Sequence, residues 1–209
     1  MPQWPMWFEN LFLLLPAISL IFFVSAETGF NRHLRYILPA YPFVFVFISQ
    51  VALLRVSPFK LLVKCLLILQ GVTVLWHGPH WLSYFNEAAG GPKRGGEWML
   101  VSNIDWGQDF YYLRDWQVRH NEARPIKLGA YSGVRPEVLG ISSDGEPTVA
   151  EFESLPPGWY AISVNLVHGH GLGGRAASAF AKFKEITPTD WAGYSIRIYH
   201  VVEILDSEK

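Results

Sequence analysis

The first 76 residues contain three long apolar runs, near 8–26, 36–54 and 61–76. None shows a polar face at helical spacing, as a helix on the surface of a water-soluble protein would. The run at 36–54 is uncharged and is about as long as the 20 residues needed to cross a bilayer. The uncharged part of the first run, 11–26, and the third run, 61–76, are shorter. The pattern therefore predicts three transmembrane helices, with the lipid bilayer as a partner.

From His77 onward the pattern becomes that of a globular domain, with apolar positions at helix or strand spacing. The predicted elements are a loop at 90–96, a helix at 107–120, strands at 126–131, 159–164 and 195–202, and a helix at 175–184. Strands that alternate with helices predict a small α/β domain over 77–209.

Composition and charge support this division. Half of the residues are hydrophobic and only 17% are charged. Residues 1–76 carry five Lys or Arg and two acids, whereas residues 77–209 carry twelve and sixteen. Neither part has the basic stripe of a nucleic-acid-binding protein, so no nucleic-acid partner is expected.

The basic residues of the short loops predict an orientation. The loop at 55–64 has three cations and no acid, and the loop at 27–35 has two cations and one acid. Because cytoplasmic loops are enriched in Lys and Arg, the first of these loops is expected inside the cell. The N-terminus is then also inside, and the domain at 77–209 is extracytoplasmic.

The stretch S-N-I-D-W-G-Q-D-F, 102–110, has two interpretations. Asp105 and Gln108 have the spacing of a capping box, and Asp109 would follow in the first helical turn, where the helix dipole favours a negative charge. Alternatively, the stretch forms a polar and aromatic surface that holds a sugar or a phosphate-bearing group on the acceptor side. The candidate residues are Asn103, Asp105, Trp106, Gln108 and Asp109.

The loop N-R-H-L-R-Y-I-L-P-A-Y-P, 31–42, leads into the second apolar run. Arg32, Arg35 and Tyr36 are typical of side chains that anchor a helix at headgroup depth. The same residues also suit a phosphate clamp, in which two guanidiniums hold a lipid-linked phosphate. The spacing leaves both interpretations open.

Other motifs indicate little chemistry. Cys65 lies in an apolar run and is expected to be inert. The G-H-G-L-G-G stretch, 169–174, is better interpreted as a turn than as a dinucleotide site, because no acidic residue follows a second strand at the required distance. The pairs His77/His80 and His168/His170 lack further zinc ligands, so no cofactor is predicted, with a divalent metal as the alternative.

Three stretches resemble one family. R-Y-I-L-P-A-Y-P, 35–42, is similar to the start of a late membrane helix in the bacterial lipid-linked-sugar glycosyltransferases of the GT-C type, which include protein mannosyltransferases and the aminoarabinose transferase. W-L-S-Y-F-N-E-A-A-G-G-P, 81–92, followed by V-S-N-I-D-W-G-Q-D-F, resembles the segment after the last helix of that group. P-G-W-Y-A-I-S-V, 157–164, resembles its C-terminal domain.

The resemblance implies a multi-pass transferase of the bacterial inner membrane that uses a polyprenyl-phosphate sugar. In that family the catalytic carboxylate lies in the first extracytoplasmic loop, far before the last helices. Here Glu27 is the only loop acid before Arg35, and its surroundings do not match that motif. The chain is therefore expected to be the C-terminal part, with no catalytic residue of its own and with a separate N-terminal subunit as one arrangement. The alternative is a non-catalytic membrane-anchored module that binds a protein partner or an envelope glycan.

Overall fold

A computed structural model describes residues 6–26, 34–53, 57–130, 133–145, 151, 155–170 and 177–202. The chain forms two compact units, Met1–Trp76 and His77–Lys209. The boundary between them coincides with the change from an apolar to a globular sequence pattern at His77.

The first unit is helical. Its elements are α1 (Met6–Ala26), 3-10 turns at Leu34–Tyr36 and Leu38–Ala40, α2 (Tyr41–Ser49), a 3-10 turn at Gln50–Leu53, and α3 (Ser57–Trp76). α1 packs against α2, and the Nε2 of Gln50 donates a hydrogen bond to Oδ1 of Asn10 at 2.6 Å. This bond satisfies two amide groups in otherwise apolar surroundings.

Two of the three apolar runs form helices that are long and apolar enough to cross a membrane. They are Trp7–Ala26 and Pro58–Trp76, with mean hydropathies of 1.9 and 1.8, and almost none of their residues is buried. The run predicted at 36–54 instead forms a shorter apolar helix, Leu38–Leu53, in which α2 is flanked by 3-10 turns. Pro39 and Pro42 lack the N–H that a continuous α-helix needs, which explains the broken start. The structure thus supports two candidate spans rather than three.

The second unit is a small mixed α/β domain. Its strands are β1 (Lys127–Gly129), β2 (Gly158–Ser163), β3 (Asp190–Ala192) and β4 (Ile196–Val201), and its α-helices are α4 (Phe110–Arg119) and α5 (Val164–Val167). The 3-10 helices are Trp81–Ser83, Glu87–Ala89, Pro92–Glu97, Val101–Asn103, Asn121–Ala123, Pro136–Leu139 and Ala177–Lys184. The sheet order is β1-β2-β4-β3, with β1 and β2 parallel and the other pairs antiparallel.

The predicted elements of this domain are largely confirmed. The helix at 107–120 corresponds to α4, and the three predicted strands correspond to β1, β2 and β4. β1 and β4 are shorter at both ends than predicted, and β2 begins and ends one residue earlier. The predicted helix at 175–184 is wound as a 3-10 helix over its described part. The short strand β3 was not predicted, because three residues that include an Asp give no alternating pattern.

The core lies on both faces of the sheet. On one face α4 packs its apolar side chains onto β2 and β4; the buried residues include Phe110, Leu113, Trp116, Ala161, Ile196 and Ile198. On the other face α5 and the last 3-10 helix cover the sheet; the buried residues include Tyr160, Ile162, Phe180, Phe183 and Tyr199. The alternation along β2 and β4 sends neighbouring side chains into opposite cores.

Candidate functional site

The segment at 102–110 runs from within the 3-10 helix Val101–Asn103 to the first residue of α4. Both of its carboxylates are buried: Asp105 is 6% exposed and Asp109 is fully buried. Buried carboxylates are costly unless they are hydrogen-bonded, so their partners define what the segment does.

Asp105 is bonded to both central strands. Its Oδ2 accepts from the hydroxyl of Ser163, at the end of β2, at 2.5 Å, and its Oδ1 accepts from the hydroxyl of Ser195, just before β4, at 3.3 Å. Oδ1 also accepts from the backbone N–H of Gly107 at 2.9 Å. The carboxyl group therefore joins the segment to the edge of the sheet where β2 ends and β4 begins.

Asp109 binds the turn between β3 and β4. Its Oδ2 accepts from the backbone N–H groups of Tyr194 and Ser195 at 3.0 and 2.8 Å. Its Oδ1 lies 3.5 Å from Nδ1 of His80, whose ring packs between Tyr112 and Tyr194 with centroids 4.3 and 5.0 Å away. The carboxylate thus holds the turn against the start of α4.

The predicted capping box is wrong. α4 begins at Phe110, and Asp109 occupies the N-cap position without a side-chain capping bond. Asp105 accepts from Gly107 rather than from Gln108, and Oε1 of Gln108 accepts from the N–H of Trp106 at 2.7 Å. Donors from distant strands satisfy both carboxylates, and these buried bonds take the place of local capping.

The other candidate residues of this segment lie nearer the surface. Trp106 is 57% exposed, whereas Asn103 and Gln108 are half-buried. Nδ2 of Asn103 donates to the carbonyl of Leu100 at 3.0 Å, and Nε2 of Gln108 donates to the hydroxyl of Ser83 at 3.1 Å. An acceptor-side surface would therefore consist of these three residues and not of the two aspartates.

Burial raises the pKa of Asp105, and the nearby charge of Asp109 acts in the same direction. The hydrogen bonds from Ser163, Gly107 and Ser195 act in the opposite direction, because they favour the charged form. Desolvation is the largest effect and decides the sign.

Asp105→Asn is expected to remove a pH dependence of stability. Because the folded pKa is raised, the native state binds this proton more tightly than the unfolded chain, whose Asp pKa is about 3.9. The stabilisation that comes from protonated Asp105 is complete below the unfolded pKa, and it is lost as the pH increases through the folded pKa. The Tm of the full chain in neutral micelles should therefore fall with rising pH for wild type relative to Asp105→Asn. Parallel Tm curves would contradict this, and Asp115→Asn at an exposed position is the control.

The sequence pattern did not indicate that two serines and an asparagine would belong to this site. Ser163 is the last residue of β2, and Ser195 directly precedes β4. Only the pairing of these two strands brings both hydroxyl groups to Asp105. Oδ1 of Asn165 accepts from the N–H of Val101 at 2.7 Å, and Val101 has a φ of +63°. Such a conformation is costly for a β-branched residue, so the buried amide stabilises a strained start of the segment.

In the first unit, Arg35 and Tyr36 lie next to each other before α2. An Nη of Arg35 donates to the Tyr36 hydroxyl at 3.2 Å, and the guanidinium carbon lies 5.1 Å from the ring centroid. Arg35 is exposed. Arg32, the other predicted clamp residue, lies outside the described residues.

The remaining motifs do not form a metal or dinucleotide site in the described part of the chain. No group of three or more His, Cys, Asp or Glu residues that could hold a metal occurs among the described residues. Most of the G-H-G-L-G-G stretch lies outside them, and Gly169 follows α5 rather than a strand. Cys65 is an exposed thiol on α3.

No protein-family model, curated protein or solved structure matches the chain.

Proposed function

We propose that the chain is the C-terminal part of an integral-membrane glycosyltransferase that uses a polyprenyl-phosphate-linked sugar. The observation that carries the proposal is the exposed Arg35–Tyr36 pair immediately before the apolar segment Leu38–Leu53. The motifs at 35–42 and 81–110 that resemble the GT-C transferases support it.

The apolar first unit supports the membrane location. α1 and α3 expose large apolar side chains along their length, and such surfaces are stable in lipid rather than in water. The segment Leu38–Leu53 combines nine α-helical residues with two 3-10 turns, whose rise per residue is larger. We estimate its length at roughly 27 Å, close to the bilayer core of about 30 Å. We therefore propose three crossings of the bacterial inner membrane, with residues 77–209 extracytoplasmic.

Arg35 has the chemistry to bind a phosphodiester. The guanidinium is planar, permanently charged and carries five N–H donors, of which one bonds to the Tyr36 hydroxyl. The ring of Tyr36 orients the group by a cation–π contact and reduces its freedom. Arg32 would add a second cation to this donor-phosphate site.

The contacts within the second unit support separate structural and acceptor-binding roles for its polar residues. Asp105 and Asp109 are buried and bonded to Ser163, Ser195 and the β3–β4 turn, so they shape the domain rather than serve as a general base. Trp106, which is exposed, and the half-buried Asn103 and Gln108 would contact the acceptor. The catalytic carboxylate would come from a preceding part of the enzyme or from a separate subunit.

Arg35→Ala is expected to weaken binding of a polyprenyl phosphate by about tenfold or more, since hydrogen bonds to charged groups contribute about 1.5–3 kcal/mol. The measurement is a titration of the full chain in phosphatidylcholine nanodiscs with a fluorescent polyprenyl phosphate. Arg35→Lys keeps the charge but loses the planar fork and should bind with intermediate affinity.

Lys60→Ala is the matched control, because Lys60 is an exposed cation on α3 of the same unit. Equal affinities for wild type, Arg35→Ala and Lys60→Ala would rule out the donor-phosphate role. Equal losses in both variants would indicate a general attraction to the charged lipid and would also contradict it.

A second candidate function is a membrane-anchored module without catalysis that binds an envelope glycan or a protein partner. It is favoured by the half-buried aromatic cluster of His77, His80, Tyr84, Tyr112 and Tyr194, whose ring centroids are 4.3–6.3 Å apart. Such amphipathic rings present both an apolar face and polar atoms to a ligand. Retention of envelope polysaccharide that is unaffected by Arg35→Ala but lost in Tyr112→Ala would favour this function.

A further inference from the structure

A second cluster of polar side chains lies on the face of the sheet opposite α4. Trp191 on β3 and Arg197 on β4 are direct cross-strand partners, so both side chains stand on one face. The guanidinium carbon of Arg197 lies 5.1 Å from the Trp191 ring centroid. The strand pairing therefore fixes a cation against an aromatic ring.

His168, which follows α5, completes the surroundings of Arg197. An Nη of Arg197 donates to Nε2 of His168 at 3.0 Å. This contact requires a neutral imidazole with its proton on Nδ1. Burial, followed by the charges of Arg197 and Lys184, lowers the pKa of His168, which keeps the ring neutral at physiological pH.

One N–H donor of the Arg197 side chain has no hydrogen-bond partner among the described residues. This donor is the Nε–H, which is buried. A buried donor on a charged group is costly unless an acceptor reaches it. The side chain as a whole is only half-buried, so other parts of it are accessible from outside.

The 3-10 helix Pro92–Glu97 packs closely against His168 and brings further charged side chains near Arg197. A Cβ at Gly96 would lie 3.0 Å from Cδ2 of His168, so glycine allows the 3-10 helix Pro92–Glu97 to pack directly onto this ring. The Nζ of Lys93 then lies 5.7 Å from the Trp191 ring centroid. Arg94 of the same helix is paired with Glu97 at 2.7 Å.

The charges of this cluster do not cancel. Glu97, the carboxylate whose field reaches His168 and Arg197, is already paired with Arg94. Asp190 belongs to the opposite face, since it pairs with Ile198 in the register and accepts from the indole of Trp116. Lys93 and Arg197 thus place an excess of positive charge beside the Trp191 ring, and the charge of Lys184 acts on His168.

We propose that Arg197, Lys93, His168 and Trp191 form a binding site for a phosphate group. The guanidinium would donate to two phosphate oxygens, Lys93 would supply a second charge, and neutral His168 would hold the guanidinium in place through its Nε2. A phosphate fits better than a carboxylate because it offers more acceptor oxygens for several donors. The site lies in the second unit and does not depend on the transferase proposal.

The test uses the full chain in neutral maltoside micelles and two soluble probes. One titration adds inorganic pyrophosphate, which represents a free phosphate compound. The other adds dihexanoyl phosphatidylglycerol, which represents a lipid headgroup, with dihexanoyl phosphatidylcholine as the uncharged comparison. Calorimetry measures affinity and stoichiometry for each.

Binding of either probe at one site per chain is expected, and the tighter probe identifies the source of the phosphate. Arg197→Gln should weaken it by about tenfold or more, as expected for a charge-assisted bond. Lys93→Gln should weaken it by about threefold, and because Lys93 is exposed this variant tests the site without disturbing the core. Arg119→Gln, on the exposed surface of α4, should leave the affinity unchanged.

Absence of binding for both probes would overturn the proposal. An affinity that falls equally in Lys93→Gln and Arg119→Gln would also overturn it, since that result indicates a general response to net charge.

Discussion

Asp109→Ala is expected to lower the Tm of the second unit by about 10–15 °C. The variant leaves the backbone N–H groups of half-buried Tyr194 and buried Ser195 without this acceptor, and each unsatisfied donor costs about 1–3 kcal/mol. The two donors together cost about 2–6 kcal/mol, or about 4 kcal/mol at the middle of that range, and a domain of this size loses roughly 3 °C per kcal/mol. The loss of near-ultraviolet circular dichroism on heating the full chain in micelles measures it.

Asp115→Ala is the matched control on the same helix. Asp115 is exposed and pairs with Arg114 at the surface, where ion pairs contribute little. Its Tm should stay within about 2 °C of wild type. Similar Tm values for Asp109→Ala and Asp115→Ala would show that the buried network does not hold the domain together.

Gly193→Ala is expected to destabilise the same unit by about 3–5 kcal/mol. Gly193 has a φ of +62°, and a Cβ there would lie 2.1 Å from Cγ of Asp109. The left-handed backbone alone costs about 1–2 kcal/mol, and the steric overlap adds the rest. Chemical denaturation of the full chain, followed by intrinsic fluorescence, measures the difference.

A double-mutant cycle separates the two contributions. In the Asp109→Ala background the carboxylate is gone, so adding Gly193→Ala should cost only about 1–2 kcal/mol. Gly145→Ala is the control for the backbone term, because Gly145 has a φ of +84° and a Cβ added there would meet no atom within 4 Å. Equal costs of Gly193→Ala in both backgrounds would contradict a direct contact with Asp109.

The local patterns predicted much of the second unit. The spacing of Phe110, Leu113 and Trp116 predicted α4, and all three side chains are buried against the sheet. Helical periodicity and β-branched runs report which face is buried, and burial is what forms these elements. The strands β2 and β4 were predictable for the same reason.

The polar network was not predictable, because its members are far apart in the chain. Asp105 and Gln108 have the local spacing of a capping box, but Ser163 and Ser195 compete for the carboxylate only once β2 and β4 are paired. The local motif is worth about 1 kcal/mol, less than a buried carboxylate requires. The hydrogen bonds from Ser163 and Ser195 therefore form in place of the capping box.

In the first unit, hydropathy predicted apolar helices but not how the backbone is hydrogen-bonded. The run at 36–54 is uncharged over its full length, yet Pro39 and Pro42 divide its start into 3-10 turns. Apolar composition favours lipid surroundings but does not specify the hydrogen bonding of the backbone. The position of Arg35 and Tyr36 at the start of this run, in contrast, could be read directly from the sequence.

Photolabelling tests the transferase proposal most directly. Membranes that contain the full chain would be irradiated with a diazirine-bearing polyprenyl phosphate, and labelled peptides would be mapped by mass spectrometry. The proposal predicts labelling concentrated within residues 34–53 that exceeds labelling by a neutral polyprenol with the same reactive group. Equal labelling by the two lipids, or phosphate-dependent labelling confined to α1 and α3, would contradict it.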